Sequence, residues 1–298
     1  MSYYHLARHL PALLLGMLTA TASAQLYVTQ DAGAIRTYNP STGVVANSSF
    51  ITGTITDRDL LLNGNLLYVA DGGFARVGLY NATTGVAINA NLITGFSFPG
   101  GLALSGNTLF VSDLNTGIVG TYNATTGTAI NANFINSGLV NPSGLAVVGN
   151  TLYVADYGLG KIQTFDATTG AVINASFVTG LTTPIGIAIV GANLYEAEWN
   201  GNRVGLYNAT TGATINANFV TAMTSPIDVA VAGNSLYVSS QNGNRVGLFD
   251  AATGATTNAN FITGVTLPGA LAVVPEPGSV GLLLAGLGLL AARRKRLV

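Results

Sequence analysis

An aromatic inside a Leu-Tyr-Val-like strand recurs at Tyr27, Tyr68, Phe110, Tyr153, Tyr195 and Tyr237, at spacings of 41, 42, 43, 42 and 42 residues. A Thr-Gly turn recurs with nearly the same period at Gly43, Gly85, Gly127, Gly170, Gly212 and Gly254. Such a period constrains the fold strongly, because each repeat is one supersecondary unit that cannot bury its apolar face alone. Six units of about 42 residues occupy 25–274 almost completely, which leaves no room for a second domain.

Each unit reads as four short strands. In the fourth, Gly144 to Val148 is an apolar run closed by a Gly149-Asn150 turn, and Leu152 to Ala155 follows. Ile162 to Phe165 alternates apolar and polar residues, Asp166 to Gly170 is a turn, and Ala171 to Val178 completes the set. Four strands in about 42 residues is the pattern of a propeller blade. The first unit starts at its second strand, Leu26-Tyr27-Val28, and its missing strand stands at the far end as Ala270 to Val273. A C-terminal strand that completes the N-terminal blade removes two open sheet edges. The expected fold is therefore an all-β, six-bladed β-propeller with four strands per blade, the first blade closed by the C-terminal strand.

Only 8% of the residues are charged and 38 are Gly, but 49% are hydrophobic, which suits a turn-rich β protein rather than a disordered chain. Within 25–274, six basic residues face eleven acidic ones, a net of −5. No basic stripe offers itself to a phosphate backbone, so nucleic acid is not an expected partner.

Both chain ends read as short apolar helices that carry addresses. In 1–24, Arg8, the apolar stretch Leu10 to Leu18 and the small residues up to Ala24 make a secretory signal peptide. In 275–298, Pro275-Glu276-Pro277 precedes an apolar run and then Arg293-Arg294-Lys295-Arg296. The 15 residues Gly278–Ala292 span about 22 Å as a helix, a short transmembrane segment whose basic end stays cytoplasmic. This order resembles the PEP-CTERM sorting signal. The resemblance implies transient insertion in the inner membrane, recognition by an exosortase-type membrane protease, and a surface or extracellular destination. It also implies bacteria that make extracellular polysaccharide. A plain C-terminal anchor is the other reading of the tail.

The units themselves resemble NHL-type repeats. Pro142-Ser-Gly-Leu-Ala-Val, Leu152-Tyr-Val-Ala-Asp156 and Lys161-Ile-Gln-Thr-Phe-Asp166 carry the likeness. That family and the related six-bladed lactonases and lyases include binding proteins and enzymes, so the resemblance implies fold and leaves function open.

Both histidines, His5 and His9, lie in the expected signal peptide, and the chain has no Cys. Histidine bases, cysteine nucleophiles and histidine-ligated metals are thereby excluded from the repeat region. Acids end the second strand of four units, at Asp71, Asp113, Asp156 and Glu198. Three face a base five residues on, and the pairs Asp71/Arg76, Asp156/Lys161 and Glu198/Arg203 are expected salt bridges. The Asn-Ala-Thr triplets at Asn81, Asn123 and Asn208 read as hairpin turns, and the Asn-Ala-Asn pattern as polar ladders on outer strands.

Departures from the repeat point to function. Where five units have Pro before the first strand, the second has Asp57, followed by Arg58 and Asp59. The position of Asp59 is Gly in three units and Asp228 in the sixth. The fifth unit has Glu196 where every other unit has Val, and adds Trp199, the one tryptophan. A charge at a sheet-packing position is costly unless paired or used, and Arg203 is the expected partner of Glu196. Trp199 offers a stacking platform for sugar. Asp57, Arg58, Asp59, Glu196, Glu198, Trp199 and Asp228 are thus the candidate binding residues, expected on one face of the disc.

These features favour a non-enzymatic surface or extracellular propeller that binds exopolysaccharide, another matrix component or a surface protein, with no cofactor. The alternative is a carboxylate-dependent hydrolase or lactonase assisted by a divalent cation held by Glu196, Asp59 or Asp228. A purely structural matrix protein is the third reading.

Overall fold

A computed structural model of the chain describes residues 24–31 and 33–274. The expected signal peptide before Ala24 and the tail from Pro275 onward, with their apolar helices, lie outside the described residues.

The chain forms six four-stranded antiparallel sheets. Blade one contains β1 (Gln25–Gln30), β2 (Ala34–Tyr38) and β3 (Val45–Thr52). Blade two is β4 (Asp57–Asn63), β5 (Leu66–Asp71), β6 (Arg76–Asn81) and β7 (Ala87–Thr94). Blade three is β8 (Pro99–Ser105), β9 (Thr108–Asp113), β10 (Ile118–Asn123) and β11 (Ala129–Ile135). Blade four is β12 (Pro142–Val148), β13 (Thr151–Asp156), β14 (Lys161–Asp166) and β15 (Val172–Thr179). Blade five is β16 (Pro184–Val190), β17 (Asn193–Glu198), β18 (Arg203–Asn208) and β19 (Thr214–Val220). Blade six is β20 (Pro226–Ala232), β21 (Ser235–Ser240), β22 (Arg245–Asp250) and β23 (Thr256–Thr263), and β24 (Leu271–Val274) returns to blade one. There β24 pairs with β1 in the register Gln25↔Val274 to Val28↔Leu271, so the ring closes through one shared blade. This is the six-bladed propeller that the period implies.

The repeated aromatic is the bolt between blades. Tyr27 Oη donates to the carbonyl of Ala82 at 2.6 Å, and Tyr68, Tyr153 and Tyr195 donate likewise to Ala124, Ala209 and Ala251. Each carbonyl sits in the Asn/Asp-Ala turn of the next blade, and Tyr237 reaches Pro40 of blade one at 2.8 Å to complete the circuit. Phe110 fills the same place in blade three, buried against its neighbours. The turn glycine belongs to the same joint. Gly127 has φ +73, and a Cβ there would stand 1.9 Å from the carbonyl oxygen of Leu92 in the preceding blade. Glycine allows both the left-handed backbone and the close approach.

The Asn-Ala-Asn residues do not form ladders between strands. In each outer strand an Asn side chain accepts from the backbone N–H two residues on, as Asn89 does from Asn91 and Asn131 from Asn133. The contact coincides with a bulge in the pairing of the third and fourth strands. An outer strand has a free edge, and a bulge plus an internally satisfied N–H makes that edge a poor template for another chain.

Candidate functional site at the central channel

The inner strands β24, β4, β8, β12, β16 and β20 surround the channel, and their opening residues form successive rings. The first ring is Arg58, Gly100, Ser143, Ile185, Ile227 and Gly269. The second is Asp59, Gly101, Gly144, Gly186, Asp228 and Ala270. A cavity of 170 Å³ lies against both rings, and a second of 150 Å³ lies at the mouth beside Asp57 and Gln241. Arg58, Ile185 and Ile227 border both cavities.

Asp59 and Asp228 use their carboxylates to stitch blades together. Asp59 accepts from its neighbour Leu60 N–H at 2.8 Å and from Leu102 N–H of blade three at 2.7 Å. Asp228 accepts from Val229 N–H at 2.8 Å and from Leu271 N–H of blade one at 2.7 Å. Burial and the nearby charge of Asp228 raise Asp59 well above the usual carboxylate range. Burial pushes Asp228 up to about 7. Like-charged carboxyls in one site resist joint ionisation, and this pair retains a proton into the neutral range.

Arg58 is the cation of the channel. It makes no ion pair and donates no hydrogen bond among the described residues, and its guanidinium lies 5.3 Å from the ring centre of Phe98. Burial lowers its pKa, and Tyr157 of blade four acts on its charge. The guanidinium thus packs against Phe98 at the entry to blade three and lines the same cavity as the two aspartates. Asp57 Oδ2 accepts from Thr54 Oγ1 at 2.7 Å, while its Oδ1 is buried without a partner. Burial raises Asp57 to about 7.

The remaining candidates fall elsewhere. Glu196 is fully buried in β17, and neither of its oxygens has a hydrogen-bond partner. The expected pairing with Arg203 does not occur: Arg203 Nε donates to Glu198 Oε1 at 2.6 Å, directly across the β17–β18 hairpin. Glu196 stands opposite Gly205 instead, and burial pushes its carboxyl well above the usual range. It borders neither channel cavity. Trp199 follows Glu198 on the turn; its indole Nε1 is buried without a partner, and it too lies outside both cavities.

The acids that end the second strands are loop clamps. Asp113 accepts from Ser97 and Phe98 N–H, and Glu198 from Thr182 N–H. Asp71 combines such contacts with an ion pair to Arg76 at 3.1 Å. The Asp156/Lys161 salt bridge does not form. The two residues are register partners, but Asp156 is occupied by the N–H groups of Val140, Asn141 and Leu159. What residue-type reasoning missed is the backbone. The glycines at the second ring, visible as breaks in the Asp59 position, let adjacent inner strands approach closely: a Cβ at Gly144 would collide with the Ile185 carbonyl, and one at Gly186 with the Asp228 carboxylate.

Comparison with known proteins places these features. A family model described as outer membrane protein assembly factor BamB matches residues 73–283, and the PEP-CTERM protein-sorting motif matches residues 273–296. The motif spans Pro275-Glu276-Pro277 and Arg293 to Arg296 and marks an exported protein, anchored at its C-terminus before processing by an exosortase at the membrane. No curated protein matches the chain. Among solved structures, a chain of the nidogen/laminin complex aligns at TM-score 0.72 and 18% identity, covering 84% of this chain and 98% of that one. That likeness shows the propeller fold. The computationally designed Ika8 protein aligns at TM-score 0.48 and 13% identity, covering 80% of this chain and 76% of that one. Six complete blades and a family match across well over half the length lead to one assignment: the chain belongs to the propeller family described as outer membrane protein assembly factor BamB.

Proposed function

We propose that this exported propeller is a non-enzymatic surface binding protein that takes the end of an extracellular ligand, an exopolysaccharide or surface component, into the mouth of its central channel. The carrying observation is Arg58. A guanidinium that lines two cavities, with neither an ion pair nor a donated hydrogen bond among the described residues, keeps its donors for something that arrives from solvent. Asp59 and Asp228 line the same cavity.

The metal-assisted hydrolase draws less support. Among the described residues no group of three or more His, Cys, Asp or Glu could hold a metal ion. Both oxygens of Asp59 and of Asp228 already accept backbone N–H groups, so a cation would have to compete with them.

An array of matrix polysaccharide fragments probed with the purified chain tests the proposal. Binding should appear and fall about tenfold in Arg58→Ala, the size expected for a charged contact. Binding that is indifferent to Arg58→Ala, or no binding to any fragment, overturns it.

A further inference from the structure

The inner strands present six equivalent backbone amides, at Leu60, Leu102, Leu145, Ile187, Val229 and Leu271. Equivalence follows from register: each of these residues stands opposite the same position of its second strand, at Val69, Val111, Val154, Glu196, Val238 and Val28. Four of the six donate to a carboxylate. Asp59 takes the amides of Leu60 and Leu102, in blades two and three, and Asp228 takes those of Val229 and Leu271, in blades six and one.

The two that remain, Leu145 and Ile187, belong to adjacent blades four and five, and neither donates to a side chain among the described residues. Three neighbouring pairs therefore divide the ring in pseudo-threefold fashion, and two of the three are bridged by a carboxylate from the chain. At the third the bridging residue is Gly144. A Cβ built there would collide with the carbonyl oxygen of Ile185 and stand 3.1 Å from the amide nitrogen of Ile187, so blade five approaches too closely for a side chain at Gly144 and the amide pair has no carboxylate of the chain to bridge it. Both strands line the 170 Å³ cavity, as does Arg58, which makes no ion pair among the described residues.

We infer that a carboxylate of the ligand bridges the amides of Leu145 and Ile187, completing the ring of three, and that this ligand is the uronate end of an acidic sugar. The inference rests on the channel-mouth reading above and specifies its chemistry. Paired backbone N–H groups are good carboxylate donors, as Asp59 and Asp228 demonstrate within the same ring. Arg58 offsets the negative charge that a third carboxylate would bring beside two aspartates. The sugar assignment rests on the surface-binding reading above; the cavity itself combines four glycines, Ser143 and Arg58 with leucine, isoleucine and valine side chains, a mixed lining that suits the polar edge and apolar face of a sugar ring.

The test is amide NMR on the full chain titrated with glucuronate, with glucose and N-acetyl-alanyl-alanine as parallel arms. Glucuronate should move the amide protons of Leu145 and Ile187 downfield, leave those of Leu60 and Leu271 nearly still, and bind about tenfold more weakly to Arg58→Ala. Glucose should do neither. Glucose acting as well as glucuronate, or glucuronate binding in the channel without moving Leu145 and Ile187, overturns the carboxylate bridge while the channel reading stands. The peptide acting better than glucuronate overturns the sugar assignment. If no arm perturbs any channel residue, both readings fall.

Discussion

The outer strands and the inner strands descend from the same 42-residue period, yet they treat it differently. Around the rim the pattern is kept blade after blade: Asn47, Asn89, Asn131, Asn174, Asn216 and Asn258 each accept from the N–H two residues on. Around the channel the equivalent residues run Asp59, Gly101, Gly144, Gly186, Asp228, Ala270. The rim has one task, to close an edge, and one solution serves every blade. The channel wall is where six strands meet, and a side chain there belongs to the next blade as much as to its own. Asymmetry at that position is what makes a cavity with a cation on one side and carboxyls on the other. Glu196 breaks the repeat elsewhere, in the packed interior, and borders neither cavity.

The sharpest break of this contrast is at the joint between blades. Gly127→Val adds a Cβ that meets the Leu92 carbonyl and forces a branched residue into a left-handed backbone, and should cost about 3 kcal/mol. A thermal melt should show a drop of roughly 6–12 °C. Glu196→Val restores the residue found in the other five blades and removes a buried carboxyl that bonds to nothing. It should stabilise by about 1–3 kcal/mol, and by more at pH 8 than at pH 5. A variant less stable than the parent at both pH values would show that Glu196 has a partner in the folded protein.

The pH dependence of the parent follows from the same groups. Asp57 and Asp228 titrate near 7 in the folded chain and near 3.8 in the unfolded one, and Glu196 is raised as well. The folded state holds more protons through this window, so stability falls as pH rises. The stability is fully present below the unfolded carboxylate value and is lost as pH climbs through about 7. Melting temperatures should decline from pH 5 to pH 8, and Glu196→Val should flatten part of that slope. A flat or rising profile would mean that these carboxyls are ionised at no cost.

The smallest effect is expected at the one blade whose aromatic has no hydroxyl. Phe110 packs near Ala167, the turn residue equivalent to Ala124 and Ala209, which accept from Tyr68 and Tyr153. Phe110→Tyr should gain that hydrogen bond and about 0.5–1.5 kcal/mol. An unchanged melting temperature would show that the blade-three joint is spaced differently from the others.

How much of this was legible in the sequence varies with the range of the interaction. Blade count, strand order and ring closure follow from local periodicity, because the residues that define a strand and its turn lie within a few positions of one another. The Glu198–Arg203 and Asp71–Arg76 pairs were legible for the same reason, being hairpin register partners. Asp156–Lys161 has equal spacing and fails, because two loop amides from outside the hairpin and one from its own turn occupy the carboxylate. Glu196 was legible as an anomaly, but its lack of any partner depends on which groups the adjoining elements bring to it. Asp59 and Asp228, 169 positions apart, stand out as breaks in the repeat, and nothing in their spacing says that each bridges two blades.

By itself, then, the sequence determined a closed ring of six four-stranded blades and a sorting motif at the C-terminal end, since both are written in short-range pattern. The tertiary structure alone decided which of the repeat's irregularities share a cavity. That outcome depends on contacts between one blade and the next, where a carboxylate finds an amide 43 residues away and a glycine lets the neighbouring backbone approach where no side chain would fit.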